Sequence, residues 1–161
     1  MHNSFKPIDR VLMGPGPANV HPQVLEALSK PTLGHLDPQF IELMDEIKGL
    51  LKYTFKTGSE HTFVLSGPGS LGMEACLVNL VEPGSKVIVC VAGYFANRMT
   101  QIVAKLGGNV VIVKDDWGRA VNPQKLESAL KENPDTRVVA FVHAETSTGA
   151  LSNIKALSEI A

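Results

Sequence analysis

The sequence predicts an α/β fold in which helices cover both faces of a mostly parallel β-sheet. Four short segments are continuously apolar, which is typical of strands that are buried on both faces. Segments with the spacing of helices separate these strands along the chain. The four predicted strands are HTFVL at 61–65, KVIVCV at 86–91, NVVIV at 109–113 and RVVAFVH at 137–143.

The part of the chain before the first strand predicts a loop and two helices. Residues 11–22, VLMGPGPANVHP, are rich in Gly and Pro, so we expect a fixed loop there. A short helix is expected from Pro22 to Ser29. The strongest helical pattern runs from Asp37 to Phe55, because Asp37 suits the N-cap, Pro38 suits the first helical position, and apolar residues recur at three and four. We expect its apolar face to be buried.

Four further helices are expected between and after the strands. Gly107 and Gly108 are suited to end a helix, and Asn122 with Pro123 is suited to begin one. The predicted helices run from Ser70 to Val81, from Phe95 to Leu106, onward from Asn122 and Pro123, and onward from about Ser152. The chain ends on IKALSEIA within the last of them, so we expect it to be part of a longer protein.

Composition and charge narrow the class of protein. With 161 residues, 44% hydrophobic and 19% charged, the chain resembles an ordinary globular domain with one core. The net charge of −1 comes without a basic cluster, so we expect no nucleic-acid partner. No apolar run approaches the roughly 18 residues that span a bilayer, and MHNSFKPIDR has no apolar stretch behind its charges. We therefore expect a cytoplasmic protein without a membrane segment.

The cysteines and histidines do not indicate a metal site or a redox pair. Cys76 and Cys90 lie in apolar surroundings without C-x-x-C spacing, so we expect two buried free thiols. The five histidines show neither H-x-x-x-H spacing nor pairing with a cysteine.

The first motif that carries chemistry is SGPGSLG at 66–72. Its spelling Gly67-x-Gly69-x-x-Gly72 matches a dinucleotide-binding turn, but the next strand does not end on an acidic residue, and Glu82 lies before that strand. A Walker loop is excluded because the motif contains no lysine. Two interpretations stay open: the amides that begin the following helix bind a phosphate with help from Ser70, or the glycines only permit a tight turn.

Two further loops follow strands at the edge where ligands bind in open parallel sheets. In AGYFANRM, Tyr94 and Phe95 could stack on a planar ring or plug the start of a buried helix. In FVHAETSTG, residues 145–148 bring a carboxylate and three hydroxyls to the same edge, before a sharp exit at Gly149. These hydroxyls could bind a ligand oxygen or cap the following turn. We interpret His143 as a core histidine.

Five blocks, taken together and in this order, resemble the class V pyridoxal-phosphate-dependent aminotransferases, in particular the alanine-glyoxylate and serine-pyruvate aminotransferase subgroup. The resemblance runs from about Leu12 to the last residue. The blocks are LMGPGPANVHPQVLEAL, GHLDPQFIELMDEI, SGPGSLGMEACLVNLVEPG, VAGYFANR and VHAETSTG.

The resemblance implies part of a fold type I transferase. Residues 1–21 would be an N-terminal loop segment, and residues 22–161 the N-terminal part of the large cofactor-binding domain. The rest of that domain and a small C-terminal domain would be absent from this sequence. The resemblance also implies a homodimer with its active sites at the subunit interface.

The resemblance assigns roles to individual residues. The phosphate-binding tripeptide corresponds to Pro68, Gly69 and Ser70, where proline replaces a common serine or threonine and one hydroxyl contact is lost. Phe95 occupies the position of an aromatic residue, often tryptophan, that stacks on the cofactor ring. Thr146 corresponds to a residue whose hydroxyl meets the cofactor's phenolic oxygen. The residues expected near the substrate carboxylate are Gly14, Pro15 and Gly16.

The catalytic residues that the resemblance implies fall beyond Ala161 in family order. They are the Schiff-base lysine, the aspartate beside the pyridine nitrogen and the arginine that binds the substrate carboxylate. No catalytic residue is therefore expected in this chain, which by itself should bind pyridoxal phosphate weakly and turn nothing over.

The activity that the resemblance implies is transfer of an amino group from alanine or serine to a 2-oxo acid such as glyoxylate or pyruvate. Two alternatives stay open. The chain could be a non-catalytic, truncated relic that only keeps the phosphate site. A nicotinamide-dependent oxidoreductase is disfavoured by the missing acidic residue.

Overall fold

The computed structural model describes residues 4–161, which divide between Ser66 and Gly67 into two compact units. Residues 1–3, part of the predicted loop segment 1–21 and of the opening MHNSFKPIDR, lie outside the described residues. In the described part, none of the helices is long and apolar enough to cross a membrane. Among the same residues, no three His, Cys, Asp or Glu side chains lie close enough together to hold a metal ion.

The first unit contains two helices, α1 at Pro22–Leu28 and α2 at Pro38–Phe55, and the predicted Gly- and Pro-rich loop before them. Asp37 caps α2 as predicted, because its carboxylate accepts a 2.8 Å hydrogen bond from the backbone N–H of Gln39. The C-cap residue Lys56 adopts the left-handed conformation with φ 52°. The predicted start and end of both helices are confirmed to within one residue.

Two predictions for this unit are wrong. The apolar face of α2 was expected to be buried, but no residue of α2 is, and Leu50 is 58% exposed. Residues 61–65 were expected to form a strand, but they form none, and Phe63 is 64% exposed. Both errors have one reason: an apolar pattern creates a buried face or a strand only where a partner element covers it or hydrogen-bonds to it.

In the second unit, from Gly67 onward, the predicted alternation of strands and helices is confirmed. Three longer strands and four helices occupy the second unit, together with two strands of two residues each. The elements are α3 at Gly69–Leu80, β1 at Lys86–Val91, α4 at Tyr94–Lys105, β2 at Asn109–Lys114, α5 at Pro123–Glu132, β3 at Thr136–Phe141, β4 at Ala144–Glu145, β5 at Ala150–Leu151 and α6 at Ile154–Ile160.

The sheet of the second unit has the strand order β2-β1-β3, and both pairings are parallel. The central strand β1 is almost completely buried, because neighbours flank it on both sides and helices cover both faces. Val89 is opposite Ile112 of β2 and Ala140 of β3.

Helices cover both faces of this sheet, as the continuous apolar strands predicted. On one face, Val87, Val89 and Val91 pack with residues of α3 and α4. On the other face, Ile88 and Cys90 pack with residues of α5 and α6. Successive β1 side chains therefore alternate between two apolar cores, and neither face tolerates a polar residue.

The turns of the second unit use the residues that the sequence indicated. Gly107 follows α4 with φ +78°, a left-handed conformation that glycine adopts readily. Asn122 caps α5 through a 2.9 Å hydrogen bond from the N–H of Gln124, and Pro123 begins the helix. The last helix begins at Ile154 with Asn153 as its cap, two residues after the predicted start.

The antiparallel hairpin β4-β5 was not predicted. It pairs Ala144 with Leu151 and Glu145 with Ala150, and Gly149 turns the chain with φ +76°. Strands of two residues are too short to show an apolar period in the sequence.

The expected burial of two side chains is also wrong. Cys90 is buried, as predicted, and burial, with a smaller effect from Asp115, raises the pKa of its thiol to about 12. Cys76 is exposed, because Leu77 rather than Cys76 turns toward the core at that point of α3. His143, expected in the core, is exposed because it lies past the end of β3, just before the hairpin.

Candidate functional site

The candidate site lies at the edge of the sheet where β1 and β3 end. Val91 leads through Ala92 and Gly93 directly into α4, and β3 leads into the β4-β5 hairpin. The predicted ring-stacking residue Phe95 and the predicted hydroxyl residue Thr146 are therefore brought to one edge.

The hairpin caps the first turn of α4. The N–H of Tyr94 donates to Oγ of Ser147 at 3.0 Å. The N–H of Phe95 donates to Oε1 of Glu145 at 3.4 Å, and the N–H of Ala96 donates to Oε2 at 3.1 Å. These three amides have no acceptor inside the helix. Two side chains from about fifty residues away satisfy all of them.

Glu145 is the most buried charged residue at this edge, with 3% of its surface exposed. Burial raises the pKa of its carboxyl, but hydrogen bonds from Ser147, Ala96 and Phe95 together outweigh that effect and hold the pKa below its usual range. The shortest of these bonds joins the Ser147 hydroxyl to Oε1 at 2.6 Å. The carboxylate is therefore ionised at neutral pH, beside the positive end of the α4 dipole.

Gly93 provides the space that this carboxylate occupies. A Cβ added at Gly93 would lie 2.5 Å from Cδ of Glu145 and 2.9 Å from its Oε2. The backbone itself is extended, with φ 178°, so the need for glycine arises from this close approach alone.

Of the polar run at 145–148, only Thr146 keeps its hydroxyl free of hydrogen bonds within Gly67–Ala161. Ser147 caps α4, and the Thr148 hydroxyl donates to the carbonyl of Glu145 at 3.4 Å. Thr146 is also exposed. The expected capping of the local turn is confirmed for Thr148, whereas Ser147 caps the distant helix α4. Thr146 has a hydroxyl that a ligand can reach.

The aromatic pair at the start of α4 divides into one exposed and one half-buried ring. Tyr94 is 51% exposed, and Phe95 is half-buried. Their ring centroids lie 5.3 Å apart in a T-shaped arrangement. Because Phe95 is held at both its ring and its backbone, it presents a fixed aromatic surface.

The predicted phosphate-binding tripeptide begins α3. Pro68 is the N-cap residue and has no side chain that can accept a hydrogen bond. Within Gly67–Ala161, the backbone N–H groups of Gly69 and Ser70 and the Ser70 hydroxyl form no hydrogen bond. The space beside Gly69 is open, whereas a Cβ at Gly67 would lie 2.6 Å from a methyl group of Leu71.

This uncapped end distinguishes α3 from the other five helices of residues 4–161. Side chains cap α4 from the hairpin, as described above. Four helices carry their own capping side chain next to the first turn, namely His21 for α1, Asp37 for α2, Asn122 for α5 and Asn153 for α6. Free amides at a helix N-terminus favour an anion.

The N-terminus of α3 faces the same edge of the sheet as Phe95 and Thr146. The turn after α3 lies at the opposite edge, because the N–H of Gly84 donates to the carbonyl of Gly107 and the N–H of Asn109 donates to the carbonyl of Ser85. Both α3 and α4 pack on one face of the sheet and end at that opposite edge. Both helices therefore begin at the carboxyl edge.

The loop with Gly14, Pro15 and Gly16 belongs to the other unit, Met1–Ser66, and these three residues are exposed. Asn19 closes this loop: its side chain accepts from the N–H of Leu12 at 2.7 Å and donates to the carbonyl of Arg10 at 2.8 Å. No local motif in the sequence indicated this role.

Sequence reasoning also missed the parts played by Glu145, Ser147 and Asp115. Asp115, at the end of β2, is 7% exposed, accepts from the N–H of Asn122 at 2.9 Å and pairs with Lys125 at 2.6 Å. The available signal for Glu145 and Asp115 was an acidic residue within a few positions of the end of an apolar strand.

Comparison with known proteins extends these observations. A family model described as Aminotransferase class-V matches residues 10–161. An alanine–glyoxylate aminotransferase from Drosophila melanogaster is 37% identical over 152 residues, which cover 94% of this chain and 38% of the relative.

Two solved structures superpose on nearly the whole chain. The alanine–glyoxylate aminotransferase from Nostoc sp. gives a TM-score of 0.92 at 40% identity and covers 99% of this chain and 43% of its own. The ureidoglycine–glyoxylate aminotransferase from Bacillus subtilis gives 0.93 at 32% identity, with coverage of 98% and 41%. The chain thus spans about two fifths of the length of these relatives. Its architecture is part of the fold type I transferase fold, and the chain belongs to the aminotransferase class-V family.

Proposed function

We propose that the N-terminus of α3 binds the 5′-phosphate of pyridoxal phosphate through the amides of Gly69 and Ser70 and the Ser70 hydroxyl. The observation that carries this proposal is the missing cap: α3 is the helix without a capping side chain among the six in residues 4–161. Pro68 contributes its shape but no donor, since proline has no backbone N–H.

The remaining residues of the proposed site suit the rest of the cofactor. The half-buried ring of Phe95 offers a face on which a pyridine ring can stack, and stacking of aromatic rings contributes about 0.5–1.5 kcal/mol beyond buried area. The unpaired hydroxyl of Thr146 suits the phenolic oxygen. The exposed loop Gly14–Gly16 is proposed to lie near the substrate carboxylate.

We further propose that the intact protein transfers an amino group from a small amino acid, alanine or serine, to a 2-oxo acid, glyoxylate or pyruvate. Both solved relatives named above carry glyoxylate in their names, which supports glyoxylate as the acceptor. Bound pyridoxal phosphate supplies an electron-withdrawing ring for such chemistry. The part of this chain is to bind and orient that ring, while the lysine, aspartate and arginine are proposed to lie outside residues 1–161.

The division into a loop segment at 1–21 and a part of the large cofactor-binding domain at 22–161 also remains a proposal. So do the homodimer and the cytoplasmic location, which follow from the family resemblance and from the sequence pattern.

The experiment that tests the phosphate site replaces Gly69 by proline and, as a control, by alanine. Proline is tolerated at the first helical position, and the extended ψ of 163° at Pro68 suits a following proline. Gly69→Pro therefore removes one N–H donor, whereas Gly69→Ala keeps it and adds a methyl group in open space.

We expect Gly69→Pro to weaken the binding of pyridoxal phosphate by about 1.5–3 kcal/mol, the contribution of a hydrogen bond to a charged group. Gly69→Ala should bind with the affinity of the wild-type protein. Neither substitution should change the affinity for pyridoxal, which has no phosphate. Equal affinity of the two variants for pyridoxal phosphate would refute the proposed site.

A further inference from the structure

We infer that Glu145 is a positioning residue for the cofactor, holding the ring of Phe95 and the hydroxyl of Thr146 in one fixed relation. This inference rests on the proposed function, in which both of those residues contact the cofactor. Glu145 itself is 3% exposed, and its proposed role is to act through these two residues and not by contact with the cofactor.

Glu145 is joined to both residues that it would position. Its backbone directly precedes Thr146, and its side chain accepts from the N–H of Phe95. The carbonyl of Glu145 accepts from Gly149 at 2.8 Å and from Thr148 at 3.1 Å, so the turn that carries Thr146 is held as well. One residue therefore connects the start of α4 to the hairpin across fifty residues of sequence.

The way in which α4 is capped supports positioning rather than helix stability alone. The helices α5 and α6 are capped by their own preceding asparagines, Asn122 and Asn153. A local asparagine at residue 93 could stabilise α4 in the same manner. The chain instead has Gly93 there, and the space that this glycine leaves is filled by the Glu145 carboxylate. This arrangement ties two separate segments together, which a local cap cannot do.

The burial of the carboxylate makes this connection stiff. Glu145 is 3% exposed, and both of its oxygens accept hydrogen bonds, Oε2 from Ala96 and Oε1 from Phe95 and Ser147. In Glu145→Gln, the NH2 group of the new side chain would take the place of one carboxylate oxygen. A hydrogen-bond donor would then face the backbone N–H groups of α4, which are donors themselves. In Glu145→Gln, α4 and the hairpin should lose their fixed spacing while the apolar cores keep their packing.

The test measures the dissociation constants of pyridoxal phosphate and of pyridoxal for Glu145→Gln in the intact protein. The control is Glu82→Gln, the same change at an exposed glutamate whose side chain forms no hydrogen bond within Gly67–Ala161. We expect Glu145→Gln to weaken both ligands by a similar factor, about tenfold, because it disturbs the ring contacts and leaves the α3 amides unchanged. Glu82→Gln should match the wild-type protein.

A double-mutant cycle separates positioning from a general loss of stability. If Glu145 acts through Phe95, Glu145→Gln should weaken pyridoxal far less in a Phe95→Leu background than in the wild-type protein. Unchanged pyridoxal affinity in Glu145→Gln would overturn the inference, and so would the same loss in both backgrounds. If Glu145→Gln does not fold, the same two affinities are measured for Ser147→Ala. A smaller loss of affinity that is equal for both ligands supports the inference, and unchanged affinity overturns it.

Failure of the proposed function has a different signature. A wild-type protein that binds pyridoxal phosphate no more tightly than pyridoxal would contradict the phosphate site itself. A different result would contradict the inference about Glu145 and leave the phosphate site intact. In that case Gly69→Pro lowers the affinity for pyridoxal phosphate but not for pyridoxal, and Glu145→Gln leaves the affinity for pyridoxal unchanged.

Discussion

The substitution Gly93→Ala should destabilise the protein strongly, although it adds only one methyl group. The new Cβ would lie 2.5 Å from Cδ of Glu145, closer than carbon atoms approach without a shift. The extended backbone at Gly93 accepts alanine without strain, so the cost arises from this contact. Overpacking of this kind costs about 1–3 kcal/mol. Displacement of the carboxylate weakens its hydrogen bonds to Phe95 and Ala96, and each bond to a charged group contributes about 1.5–3 kcal/mol.

We therefore expect Gly93→Ala to lower the free energy of unfolding by about 2–5 kcal/mol, measured by urea denaturation with an unchanged slope. The matched control is Gly72→Ala, the same change inside α3 where a Cβ meets nothing within 4 Å. It should raise stability by about 0.5–1 kcal/mol, because alanine favours the helix. A Gly93→Ala protein as stable as the wild type would show that the buried carboxylate at α4 is misplaced.

Two further predictions concern ionisable groups. The folded pKa of Glu145 is lowered, so its stabilisation is complete above the unfolded glutamate pKa of about 4.3 and is lost as the pH falls through the lower folded value. The stability difference between the wild-type protein and Glu145→Gln should thus shrink as urea denaturation is repeated at decreasing pH below about 4.3, and a constant difference would contradict it. Of the two thiols, exposed Cys76 should react rapidly with a thiol reagent, whereas Cys90, with its pKa raised to about 12, should react only after unfolding. Rapid modification that persists in Cys76→Ser would show that Cys90 is accessible.

Sequence reasoning succeeded where the interacting groups are close together along the chain. Asp37 and Asn122 were identified as caps because each accepts from an amide only two residues ahead. The strands at 86–91, 109–113 and 137–143 were identified from their continuous apolar residues, which suit a sheet covered by helices. Only the central strand, 86–91, is buried along almost its whole length.

The errors arose where the outcome depends on a distant partner. HTFVL at 61–65 is as apolar as a strand, but it forms none because no described strand hydrogen-bonds to it. The apolar face of α2 was also expected to be buried, but burial of a helix face depends on a partner element that covers it. The cap of α4 could not be identified in advance, since Glu145 and the amide of Ala96 are 49 residues apart.

For the candidate site, too, some features could be predicted from the sequence and others depended on distant contacts. The tripeptide Pro68–Ser70 and the residues Phe95 and Thr146 could be named by resemblance to a family. The physical reason to favour a phosphate at α3 rather than at α4 became visible only when the hydrogen bonds of both helix ends could be compared. Ser147 and Glu145 occupy the end of α4, whereas the end of α3 is uncapped.

The central claim is that the first amides of α3 bind the phosphate of pyridoxal phosphate. Its most direct test follows the backbone amide signals of Gly69 and Ser70 by NMR while the protein is titrated with pyridoxal phosphate and, separately, with pyridoxal. We predict that both signals shift with the phosphate ester and stay in place with pyridoxal. Signals that do not move with either ligand, or that move equally with both, would contradict the claim.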